Sequence, residues 1–149
     1  MMTREQSRSG GRFPRRDEHG RAVGLADLLA LTVAALLTTM AVLVVIDAVS
    51  VLLGWGTFGS SSGWLALVLP AWVFILEEFR AWRGVTGRFA VGISGALVAL
   101  ALGLGAANLA AGLPPLVSGG AGAAVASVAY ALYWFHGIRW LARREGRIG

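Results

Sequence analysis

The chain has 149 residues, of which 56% are hydrophobic and 14% charged, with 21 glycines and no cysteine. Its mean hydropathy is +0.69, and its formal net charge of +5 comes from thirteen arginines, with no lysine, set against eight carboxylates. Apolar stretches too long for a soluble core exclude a disordered chain, a disulfide scaffold and most soluble enzymes, and point to an integral membrane protein.

Residues 1–24 carry Arg4, Arg8, Arg12, Arg15, Arg16 and Arg21 beside Glu5, Asp17 and Glu18, with little to bury. Such a segment does not offset its ordering entropy, so it reads as a flexible Arg-rich cytoplasmic tail. Arg15-Arg16 is the pair that a twin-arginine export signal would need. Asp17 and Glu18 follow it, however, and no small-residue cleavage site closes the apolar run at signal-peptide length. An uncleaved first span is therefore expected.

Four apolar blocks follow, at 25–53, 64–82, 89–112 and 116–141. Together they define a transmembrane domain over 25–142, with 143–149 as a second cytoplasmic tail. The uncharged centre of the first block, Leu28 to Ile46, is long enough to cross a hydrocarbon layer of ~30 Å at ~1.5 Å per residue. Asp27 precedes it, where a carboxylate suits a helix N-terminus. The second block is interrupted by Pro70, which is expected to kink it, and by Glu77-Glu78. It reaches a full crossing only if it runs on to Trp82, which places both glutamates about one turn inside that tryptophan. Backbone groups in lipid must be bonded within their own segment, so four α-helices are the physical solution. The links Gly54–Gly63 and Gly112–Pro115 are turn-forming, which makes the helices two antiparallel hairpins, with Pro114-Pro115 opening the fourth. The expected fold is an all-α integral membrane four-helix bundle.

All thirteen arginines lie in the N-terminal segment, in the link 80–88 or in the stretch 139–149. Arginine near a span end resists translocation, so both termini and the middle link are assigned to the cytoplasm and the bundle to the inner (cytoplasmic) membrane. Trp55 and Trp64 are then expected at the outer interface, and Trp82, Trp134 and Trp140 at the inner one.

The third block carries small residues at four-residue steps: Gly95, Ala99, Gly103, Ala107 and Ala111. The fourth repeats the device with Gly119, Ala123, Ser127 and Ala131. Such positions share a helix face and let backbones approach closely in lipid. They fit a hairpin between the third and fourth helices, or an interface between copies of the chain.

Ionisable and polar groups inside a membrane are expensive, which singles out Asp47, Asn108, Glu77, Glu78 and His136. Asp47 lies about 12 Å below the expected outer interface, within reach of Asn108. A proton or cation site is conceivable there, yet Asp47 shares its face with Leu36, Met40 and Leu43, and no polar track leads away. Glu77 and Glu78 read as interfacial ion-pair partners rather than transport or catalytic carboxylates. Glu77 is placed to meet Arg80 at i, i+3, and Glu78 to look toward Arg139 or His136. Tyr130, Tyr133 and Trp134 around His136 read as an aromatic belt. Two histidines without cysteine offer no metal-site spacing, the glycine runs match no phosphate or dinucleotide loop, and no nucleophile–base pair is evident. No cofactor is expected and no enzymatic activity.

Trp64-Leu-Ala-Leu-Val-Leu-Pro70, Gly105-Ala-Ala-Asn108-Leu-Ala-Ala and Pro114-Pro115 occur in an order that resembles the small four-helix membrane spread proteins of actinobacterial conjugative elements. The likeness covers about residues 30–140. The acidic residue that this family carries soon after its proline is replaced by Trp72-Val73-Phe74, and Glu77-Glu78 come later. The resemblance implies a non-enzymatic membrane accessory to intercellular plasmid DNA transfer, working beside a DNA-translocating motor.

Two other classes compete: a small oligomeric pore such as a phage holin, and a small proton- or cation-coupled carrier built around Asp47 or Glu78. The partners expected are the lipid bilayer, a second copy or another membrane protein, and anionic lipid through the Arg-rich tail. The tail lacks aromatics interleaved for base stacking, so direct nucleic-acid contact is not expected.

Overall fold

A computed structural model describes residues 14–59 and 76–147. Helix α1 spans Leu25–Leu52, α2 covers 76–81, α3 spans Arg88–Leu109 and α4 spans Pro115–Arg144. The rest of the expected second helix, with Trp64 and Pro70, lies outside the described residues. Three of the helices, α1, α3 and α4, are long and apolar enough to cross a membrane. The single β pairing among the described residues is the isolated bridge between Arg16 and Ala22.

Each helix end follows from local chemistry. Gly24 caps α1, and the Asp27 carboxylate accepts the Gly24 N–H at 3.0 Å and the Arg15 N–H at 2.8 Å. Two otherwise orphaned donors are thereby satisfied beside the positive helix terminus. Inside α1, Thr32, Thr38 and Ser50 donate their hydroxyls to the carbonyls of Leu28, Ala34 and Ile46, so none needs a partner across the lipid. Its C-terminus closes through Trp55 N–H to Ser50 O and Gly54 N–H to Val51 O, with Gly54 at φ 76. That is the Schellman arrangement, and only glycine enters its left-handed position without strain. Pro115 opens α4 where a missing donor costs least.

Two helix ends differ from the expected ones. Helix α3 stops at Leu109 rather than 112, so Ala111, foreseen as the last member of its packing ribbon, lies exposed in a turn. Helix α4 runs to Arg144, past the expected 141, because Arg143 and Arg144 interact favourably with a helix C-terminus even though they do not suit lipid.

Helix α4 is the hub. It packs against α3 on one side and α1 on the other, while α1 and α3 make no contact with each other. Between α3 and α4, a Cβ at Gly95 would lie 2.8 Å from Tyr133, and one at Gly137 would lie 2.8 Å from Val91. Each helix thus offers a glycine to a bulky side chain of the other. Gly95, Ala99, Gly103, Gly119, Ala123, Ser127 and Ala131 are all buried, whereas Ala107 is half-buried. The α3 ribbon faces α4 as the hairpin reading has it, whereas the α4 ribbon is shared between α3 and α1. Toward α1, Ala123 packs with Leu43, and Gly120 lies beside Met40.

The main core lies at the end where α1 and α3 begin and α4 ends, and contains Ala22, Leu28, Trp82, Tyr130, Trp134 and Ile138. Two expectations are corrected there. Trp82 and Trp134, each 2% exposed, are core residues rather than exposed anchors, and Tyr130 is buried with them, whereas Trp140 is 53% exposed. Trp134 is covered by Phe79 of α2, ring to ring at 5.6 Å, and by Tyr130 at 6.4 Å, while Arg21 lies over Trp82 at 4.3 Å. Residues 14–24, read as flexible tail, instead form a turn laid against the bundle: Asp17 accepts the N–H groups of His19 and Arg21, and Ala22 is buried. Bonds to charged side chains, set out next, offset the ordering entropy that composition alone had weighed.

Candidate functional site

The turn 14–24, the end of α2, the start of α3 and the end of α4 meet at one end of the molecule, and Ala22 is the residue on which they converge. Its N–H donates to Glu78 Oε2 at 3.2 Å, and its carbonyl accepts from Arg139 Nη2 at 2.7 Å. Arg139 also donates to Val23 O at 3.1 Å and rests over the Phe135 ring at 4.1 Å. The other Glu78 oxygen accepts the Trp82 indole N–H at 2.9 Å, one helical turn further on. Glu78 is 6% exposed, a depth at which a carboxylate persists only with several donors and a nearby cation.

Around this centre the remaining contacts tie the same segments. Arg21 lies over the Trp82 ring at 4.3 Å and donates to Ala81 O at 3.1 Å. Arg16 pairs with Glu77 at 3.1 Å. Glu145, just beyond α4, accepts the Thr86 N–H and pairs with Arg147. All arginines among the described residues belong to these converging segments or flank them.

The residues singled out by sequence separate into two groups. Glu77 and Glu78 join this polar end, but with other partners than foreseen. Glu77 takes Arg16 rather than Arg80, because the folded turn brings Arg16 closer than the helix geometry brings Arg80. Glu78 meets Arg139 through the backbone of Ala22, and His136 is exposed beside Phe135 instead of facing the carboxylate. Asp47 lies toward the other end of α1, about 30 Å along the helix from Asp27. It is buried and accepts the N–H of Gly59, whose backbone folds back beside Leu116 at the start of α4. Asn108, foreseen as its partner, is exposed near the end of α3. Of the three carboxylates buried among the described residues, Asp27 and Glu78 lie at the arginine-rich end and Asp47 toward the other end of α1. Among the described residues, no three His, Cys, Asp or Glu side chains group as a metal site would require.

Sequence reasoning missed Ala22, Arg16, Arg21 and Trp82 as members of the polar end. An alanine in an Arg/Gly-rich stretch carries no signal of burial. Trp82, four residues after Glu78, could have been found by its helical spacing. No family model matches the chain, and no curated protein or solved structure matches it either.

Proposed function

We propose that this chain is a non-enzymatic accessory or assembly protein of the cytoplasmic membrane, with both termini and the arginine-rich end in the cytoplasm. One observation carries the reading: among the described residues, the buried carboxylates are bound to the chain's own backbone. Asp27 binds Gly24 and Arg15, Asp47 binds Gly59, and Glu78 and Arg139 bind Ala22. Groups so committed hold elements together; a carrier would need them turned toward a path, and an enzyme toward a substrate. Apolar side chains exposed along α1 and α3, among them Leu37, Val45, Ile93 and Leu97, suit lipid or another apolar helix. The arginines gathered at one end agree with the inward assignment of that end.

The likeness to conjugative spread proteins makes the assembled machinery a DNA-transfer apparatus, with this chain as a membrane component beside the motor. Deleting the chain from an element that retains its motor tests this. Spread of the element among recipient cells is expected to fall while first transfer persists; undiminished spread would overturn the conjugative reading.

A further inference from the structure

We propose that the guanidiniums of Arg88 and Arg144, each seated on aromatic rings at the arginine-rich rim of the α3–α4 hairpin, bind headgroup phosphates of anionic phospholipids. This rests on the reading of that end as lying at a bilayer surface. Two arginines of the turn are already paired with carboxylates, Arg15 with Asp27 and Arg16 with Glu77. At the rim the balance is different. Arg80, Arg83, Arg88, Arg143 and Arg144 make no ion pair among the described residues. An uncompensated positive rim of this kind fits an anionic leaflet.

Arg88 and Arg144 stand out within that set because they are held in place. Arg88 lies 4.6 Å from the Phe79 ring and 5.1 Å from the Phe89 ring, and Arg144 lies 4.7 Å from the Trp140 ring. Contact with a ring occupies a face of the guanidinium and leaves the in-plane N–H groups for an acceptor. Arg88 spends one of them on Phe79 O at 3.4 Å, and Arg144 none on the protein. A phosphate diester can accept two parallel N–H bonds from such a fork. Phe89, 62% exposed, and Trp140 stay open beside the cations, where they can reach the acyl chains below the headgroup.

The test uses the full chain in phosphatidylcholine bilayers containing spin-labelled phosphatidylglycerol or spin-labelled phosphatidylcholine. Electron spin resonance then gives the motionally restricted fraction of each. The wild-type chain is expected to favour phosphatidylglycerol severalfold, by about fivefold for each arginine engaged. Arg88→Gln with Arg144→Gln should remove most of that preference, whereas Arg15→Gln with Arg16→Gln, which removes equal charge from the turn, should retain it. Arg144→Gln alone, at an exposed side chain, should lower the preference measurably and serves if the double variant does not fold. Equal association of both lipids with the wild-type chain would overturn the proposal, as would a preference that survives the rim substitutions. A preference lost equally through the turn variant would do the same. A chain that restricts no lipid of either kind would overturn the spanning reading itself, and the lipid site with it.

Discussion

Glu78 and Arg139 act on each other through a third residue: one binds the N–H of Ala22 and the other its carbonyl, so a buried carboxylate and a half-buried guanidinium close around the same stretch of backbone. Neither charge is left without a donor or acceptor. Removing Glu78 leaves the Ala22 N–H and the Trp82 indole N–H without their acceptor at a buried position, and that unmade bonding costs more than a satisfied bond contributes.

Glu78→Ala should therefore lower stability by about 1–3 kcal/mol, the range for leaving buried donors without their acceptor. It should also release the turn 14–24 from α2. Trypsin cleavage at Arg15, Arg16 and Arg21, followed in detergent, is expected to accelerate in this variant. Cleavage at the wild-type rate would show that the turn is held by something other than Glu78.

The two faces of α3 give opposite predictions for one substitution. Gly95→Ala puts a methyl 2.8 Å from Tyr133 and should cost about 1–3 kcal/mol through overpacking. Gly105 has nothing within 4 Å of a new Cβ, so Gly105→Ala should be neutral or stabilise by up to about 1 kcal/mol through helix propensity. Thermal unfolding in detergent compares the two. Equal effects would mean that α3 does not present Gly95 to α4.

Asp47 is expected to brace the fold-back that ends at Gly59. Asp47→Asn keeps an acceptor for the Gly59 N–H and should change stability by less than about 1 kcal/mol, whereas Asp47→Leu should cost about 2 kcal/mol by leaving that buried donor unpaired. In vesicles, ion flux should stay at the level of protein-free lipid for both the wild-type chain and Asp47→Asn. Flux that rises with the wild-type chain and disappears in Asp47→Asn would establish the carrier reading.

Sidedness is open to direct measurement because the natural chain has no cysteine. A reporter cysteine at Ser61 should react with an impermeant reagent in intact cells, and one at Thr86 only after lysis. The reverse pattern would invert the orientation derived from arginine.

The helices were legible because each link to sequence is direct: long apolar runs, Gly24 with Asp27 at one end of α1, Gly54 at the other, and Pro115 opening α4. The small-residue ribbons likewise announced which face of α3 meets α4. What sequence did not reveal was contact at a distance. Arg80 was the obvious partner for Glu77 by helical spacing, but Arg16, 61 residues away, takes it once the turn folds. Trp82 and Trp134 resembled surface anchors because position in a span does not say which side of the helix α2 will cover.

Every described contact among the three long apolar helices passes through α4, the last of the three in chain order. During synthesis α1 and α3 therefore emerge before the helix against which both pack. A nascent chain stopped before residue 115 would keep the polar ties among the turn 14–24, α2 and the start of α3, while α1 and α3 would lack the thirty-residue helix against which both pack.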